Sequence, residues 1–154
     1  MSYQRQRGSE PEKTVLERVL FHGHPMVRAL HPTTIEITTE EHLTERGDCI
    51  IGIGASSGCA GLRAETRRAL GVDGAKVSIR ILVAGERFEV RGVGDSRLPL
   101  SNQRDIVIRR STYVDGRTLA VRADFAAVDI PRKIVETLKR ADASGVLEVE
   151  VTQH

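Results

Sequence analysis

The densest run of chemically capable side chains is residues 22–36, HGHPMVRALHPTTIE. His22 and His24 are two residues apart, and in an extended segment such a pair points to one side. His31 and Glu36 follow within the reach of one hairpin, and Asp48 is a turn away. Two or three imidazoles with a carboxylate suit zinc, iron or manganese. His22, His24 and His31 are therefore candidate ligands of a divalent metal such as zinc. The same groups suit acid–base work, because imidazole titrates near neutral pH. His24, His31, Glu36 and Asp48 are the candidate catalytic residues, with His22 beside them as a ligand-binding candidate. The spacing matches neither the cupin metal motif nor a helical zinc motif. Pro25 after His24 is placed to bend the strand and separate the rings. The plainer alternative is that these histidines cap strand ends and bond to backbone groups.

A second cluster holds Asp105, Arg109, Arg110, Arg117, Arg122 and Asp124. On a strand over 117–124, Thr118, Arg122 and Asp124 share a face. Arg109 or Arg122 could hold the anionic group of a small molecule through its planar donor fork. Each arginine also has an acid nearby, so pinning the sheet by ion pairs is the favoured alternative. Lys76, Arg80, Arg87 and Arg91 make a basic face on residues 75–93, but Glu86 and Glu89 interrupt it. With so few aromatics, a stacking platform for single-stranded nucleic acid is poorly supported. Gly52-x-Gly54 with Ser56-Ser57-Gly58 stands between a strand and a helix. It has neither the lysine of a phosphate-binding P-loop nor the spacing of a dinucleotide fingerprint. Cys49 has no activating partner in the sequence and reads as a reduced, buried thiol.

The elements that must position these groups are mostly strands. Alternation or apolar runs mark strands over 14–22, 33–39, 49–54, 75–83, 86–93, 105–110, 117–123 and 146–151. The pair 75–83 and 86–93 reads as a hairpin around Ala84-Gly85. Residues 105–110 and 117–123 read as a further pair, joined around Asp115-Gly116. Helices are expected over 62–70, ended by Gly71, and over 130–140, capped by Asp129 with Pro131 in the first turn. No internal repeat shows in the residues. The strands arrive mostly in hairpins, without strand–helix alternation. The expected fold is mainly β (α+β): an antiparallel sandwich or partly closed barrel with two short helices.

The 154 residues carry 19 Arg, 4 Lys and 21 Asp+Glu, a formal charge of +2, with 40% hydrophobic residues. This is a folded-protein composition, not that of a disordered or collagen-like chain. No apolar run approaches the roughly 20 residues of a spanning helix. Residues 1–13 read as a flexible tail and residues 14–154 as one domain. Two cysteines and no apolar leader make the cytoplasm the expected location.

The stretches GHPMVRALHPTTIEITTEEHLTERGDCIIGIGA (23–55) and DIVIRRSTYVDGRTLAVRADFAA (105–127) resemble DUF371, a small archaeal family of unknown function. The resemblance covers about Thr14 to Val151. It implies a cytoplasmic single-domain β protein of sandwich or jelly-roll-like shape, and it supplies no catalytic residues. The functional expectation is a small-ligand-binding or enzyme-like protein with a His/Glu/Asp-lined pocket taking an anionic small molecule. The alternative is an accessory module that binds RNA or a protein without catalysis.

Overall fold

A computed structural model describes residues 13–43 and 47–153. The expected tail lies outside these residues, except for Lys13. Among the described residues, eight strands form two four-stranded sheets. The first places β1 (Lys13–His22), β8 (Ser144–Gln153), β4 (Lys76–Val83) and β5 (Glu86–Val93) side by side, all antiparallel. The second orders β3 (Ile50–Gly52), β2 (Thr34–Thr38), β6 (Asp105–Arg109) and β7 (Thr118–Ala120). Alternation aims one face of each central strand inward. Val77, Ile79, Ile81, Leu147 and Val149 from the first sheet are buried, as are Ile35, Ile37, Ile106 and Ile108 from the second. Two seven-residue helices, α1 (Ala64–Leu70) and α2 (Arg132–Leu138), complete a mainly β, sandwich-like α+β fold. Single bridges, His22 to Ile53 and Val93 to Val121, stitch the edges of the two sheets together.

Several expectations need correction. Only β4–β5 is a hairpin among the described strands. Ala84 and Gly85, at φ +50° and +80°, make the left-handed two-residue turn that suits strand twist. Residues 105–110 and 117–123 do not fold back on each other: β6 and β7 run parallel, as do β2 and β3. The strand through Thr118 also stops at Ala120, and Arg122 turns left-handed at φ +54°. Thr118 is therefore buried while Arg122 is exposed, and they share no strand face. Each helix starts two residues later than expected, because Leu62 and Arg63, and likewise Ile130 and Pro131, are extended and separate it from a preceding 3₁₀ turn, at Cys59–Gly61 and Ala127–Asp129; the second also ends early, at Leu138. Asp129 does not cap α2. Its carboxylate accepts the Ala126 N–H and closes the 3₁₀ turn, and Pro131 takes the cap position.

The expectation of no repeat also fails, because the molecule is built twice. Strand β2 (34–38) corresponds to β6 (105–109), a shift of 71; α1 (64–70) corresponds to α2 (132–138), a shift of 68. The hydrogen bonds repeat with the elements. Leu20 N–H donates to Ser56 Oγ while Ser56 N–H donates to Leu20 O; Arg91 and Asp124 exchange the same two bonds. Both sheet edges are thus sealed by one device. Leu30 N–H reaches Asp48 O as Ser101 N–H reaches Gly116 O, and Gly54 and Arg122 share one left-handed conformation. The duplication is hidden because equivalent positions rarely match. Val19/Val90, Gly23/Gly94, Ile35/Ile106 and Leu70/Leu138 are among the few identical pairs. What persists is burial at the same places, and that sets the fold.

The register shows how the halves meet. Glu36 pairs with its own equivalent, Val107, and Arg80 pairs with its own equivalent, Glu148. An internal two-fold axis therefore passes through both pairs. At one end Arg80 Nε donates to Glu148 at 2.6 Å, and Arg18 reaches the same carboxylate at 2.8 Å.

Comparison of the halves exposes one poor residue. Thr66 on α1 is fully buried, and its hydroxyl has no hydrogen-bond partner among the described residues. Its equivalent on α2 is Ile134. A buried, unsatisfied hydroxyl costs roughly 1–3 kcal/mol. Thr66→Val is expected to raise unfolding free energy by about 1 kcal/mol in urea titration, with an unchanged slope.

Candidate functional site

Strands β2 and β6 turn their isoleucines inward, so their polar residues share the outer face of the second sheet. Register brings Thr38 opposite Asp105, Glu36 opposite Val107 and Thr34 opposite Arg109. Glu36 is 8% exposed and Asp105 only 2%. Arg117, just ahead of β7, reaches over both. Its guanidinium lies 3.9 Å from Glu36, 3.7 Å from Asp105 and 3.6 Å from Asp115. These distances are those of charge neighbours, longer than the 2.7–2.9 Å of a charge-assisted hydrogen bond. Arg104 Nε donates to Asp105 at 3.2 Å. A cleft of about 180 Å³ opens over Glu36, Thr38, Glu40, His42, Ile50, Arg104, Asp105 and Arg117, so that three carboxylates share it with two guanidiniums.

The cleft's electrostatics centre on Glu36. Burial raises its pKa, and the Asp105 carboxylate raises it further. The Cys49 thiol donates to Glu36 Oε1 at 3.3 Å. Burial, then the Glu36 charge, pushes that thiol up to about 12. Cys49 is thus a protonated donor and no nucleophile. Burial likewise pushes Cys59 up to about 12, and both cysteines are free.

The two-fold relation explains why only one side of the face is open. Arg109 is the equivalent of Thr38. It is 8% exposed, donates to Thr118 Oγ1 at 2.8 Å and to Asp115 at 3.2 Å, and lies 4.8 Å from the Tyr113 ring centre. Arg109 fills its half of the face, where the shorter Thr38 leaves a hollow. Of the two anion-holding candidates, Arg109 is engaged as a pin. Arg122 is exposed and does not line the cleft.

The histidines occupy separate places. His22 sits at the edge bridge with Nε2 2.9 Å from Glu41 and Nδ1 3.1 Å from Gly23 O. The hydrogen bond to Glu41 raises its pKa. His24 Nδ1 accepts the Met26 N–H at 3.0 Å; in the other half Asp95 accepts the Arg97 N–H at 2.8 Å. His31 Nδ1 accepts the N–H groups of Thr33 and Thr34, both at 3.2 Å. Its equivalent Asn102 accepts those of Arg104 and Asp105. An imidazole acceptor in one half does the turn-capping work of a carboxylate or amide in the other. Asp48 pairs with Arg28 at 2.5 Å.

Of His22, His24, His31, Glu36 and Asp48, only Glu36 borders the cleft. Among the described residues, no three His, Cys, Asp or Glu side chains come together as a metal would need. The sequence reading missed His42 and Thr38, and it placed Asp105 and Arg117 in a cluster separate from Glu36. Only the β2–β6 pairing joins them. A larger hollow, about 500 Å³, lies over Pro25, Met26, Val27, Arg28 and Lys139, and no acid lines it. The smaller cleft is the better chemical candidate because it sets one carboxyl of raised pKa, Glu36, beside guanidinium donors.

The arginine excess resolves largely into internal pairs: Arg18 and Arg80 with Glu148, Arg97 with Asp95, and Arg140 with Asp142. No helix among the described residues is long and apolar enough to cross a membrane.

Residues 19–152 match the family model described as a domain of unknown function, DUF371. An uncharacterized protein of Methanocaldococcus jannaschii is 41% identical over 117 residues, covering 76% of this chain and 86% of that protein.

Two outcomes are expected. A carboxyl whose folded pKa is raised contributes stability that is fully present below its unfolded value, about 4.5, and lost as pH rises through the folded value. The wild type should therefore lose stability relative to Glu36→Gln as pH climbs from 4 to 8, by about 1.4 kcal/mol per unit of upward shift. Urea titrations of both proteins across that range measure it. Separately, His31→Asn should melt within a degree or two of wild type, since Asn102 fills the equivalent place, whereas His31→Ala should lose ~1 kcal/mol, as lost caps do.

Proposed function

The chain belongs to the DUF371 family, and from that premise and the cleft we propose that it binds a small anionic molecule and acts on it by acid–base chemistry at Glu36. The observation that carries this reading is the Glu36–Arg117 pair. A nearly buried carboxylate of raised pKa sits 3.9 Å from a guanidinium that keeps donors available to a guest. Arg117, with Arg104 at the rim, would hold a carboxylate or phosphate group, as a planar donor fork does well. Glu36 would then give or take a proton beside it, and Cys49 and Asp105 would keep its proton affinity in a useful range. Thr38 and His42 would supply the remaining polar contacts. The cleft is smaller than the roughly 300–1,000 Å³ of drug-sized sites, which favours a compact ligand. We place this activity in the cytoplasm, where unpaired cysteines such as Cys49 and Cys59 are the rule.

A thermal-shift panel of inorganic phosphate, short mono- and dicarboxylates and small phosphate esters tests the proposal, followed by calorimetric titration of each hit. At least one compound should raise the melting temperature of the wild type. Arg117→Met should weaken its binding tenfold or more, since hydrogen bonds to charged groups contribute roughly 1.5–3 kcal/mol. Glu36→Gln should keep binding but lose its pH dependence. A flat panel, or hits indifferent to Arg117→Met, would sink the reading.

A further inference from the structure

The doubled architecture supplies an internal control for the surface. Three large apolar side chains that do not line the cleft stand exposed: Met26 at 38%, Leu30 at 48% and Val128 at 43%. Their equivalents in the other half are Arg97, Ser101 and Ala60. The same backbone is thus built there with a cation, a hydroxyl and a methyl. The fold does not require apolar bulk at these positions, and uncovered bulk is unfavourable in water.

The two segments that carry them are clasped together. Val128 N–H donates to His31 O at 3.1 Å. The Arg132 guanidinium donates to the carbonyls of Arg28, Ala29, Ala127, Val128 and Ile130. All of these acceptors are neutral, and among the described residues no carboxylate pairs with Arg132. The patch therefore sits over a positive charge held in place by backbone. The hollow of about 500 Å³ continues it past Met26; the cations on its wall are paired, Arg28 with Asp48 and Lys139 with Glu136, so Arg132 is the charge that a partner would answer. Equivalent positions again differ: Ala64 stands for Arg132 and Gly71 for Lys139. The other half carries cations of its own here, at Arg97 and at Arg67 and Arg68 of its equivalent hollow; what this half alone has is exposed apolar bulk beside a guanidinium at position 132.

We propose that this surface docks an acidic, apolar segment of a partner protein. Leu, Met or Phe side chains of the segment would cover Met26, Leu30 and Val128, and its carboxylates would answer Arg132. Met26 suits such a role, because an unbranched thioether side chain adapts to the shape laid on it. The charge sets the sign of the partner, and the exposed apolar residues give it something to bury.

A random peptide display library panned on the full chain, with counter-selection on L30S/V128A, tests this. That double variant copies the residues the other half already carries, and an unchanged melting temperature verifies its fold. Enriched peptides should carry Asp or Glu beside large apolar residues. A synthetic peptide of that consensus should bind the double variant at least tenfold more weakly than wild type, and should lose as much when its acids become lysines. No enrichment, basic consensus sequences, or binding indifferent to L30S/V128A would overturn the proposal. So would preferential binding to phosphatidylglycerol vesicles, which would make the surface a lipid one. A concentration-dependent dimer dissolved by L30S/V128A would assign it to a second copy instead.

Discussion

Everything in this molecule depends on the crossing of two equivalent halves along β2–β6 and β4–β8. At the axis, a residue faces its own counterpart. Were the halves identical, residue 36 would put carboxylate against carboxylate, and residue 80 guanidinium against guanidinium. Like charges so placed are destabilising. Divergence removes both conflicts: Val107 faces Glu36, and Glu148 faces Arg80. The two ends of the axis then differ in character. One is a bonded ion-pair network in which Arg80 is held by Glu148 and Glu150. The other leaves a carboxylate beneath a loosely held guanidinium, with room above it.

That room exists because one half is filled and the other is not. Arg109 and Thr38 are structural equivalents, and the longer side chain occupies its own half of the outer face. A site placed near a two-fold axis thus acquires a direction, with acid and hollow on one side and a plugged, aromatic-backed arginine on the other. The same divergence turns position 117 into an arginine where position 49 is a cysteine, so Glu36 is approached by a thiol from one half and a guanidinium from the other.

Much of the architecture was legible in the residues, and the reasons are local. Strand β5 ran 86–93 as expected, and β4 and β2 within a residue or so, because alternation of buried and exposed side chains is written in neighbouring positions. What local pattern cannot carry is partnership. The first and last described strands, β1 and β8, pair with each other, and β2 lies beside β3 in parallel, through crossings that no turn residue announces. The site suffered the same way. Glu36 and Asp105 are far apart in sequence and meet only through strand pairing. The histidine cluster looked like chemistry because imidazole has several uses. The other half shows that Asp95 and Asn102 do the equivalent turn work of His24 and His31.

The pairing of β1 with β8 carries a consequence for how the protein is made. Of the described strands, β1 is made first and its ladder partner β8 last. Strand β2 waits in the same way for β6, and β4 finds β5 before it finds β8. Neither half can close its own sheets, so the repeat is no autonomous folding unit. Apolar faces such as those of Val15, Val19 and Phe21 stay unsealed until β8 has been made, a pairing order that slows folding and leaves apolar surface open to aggregation.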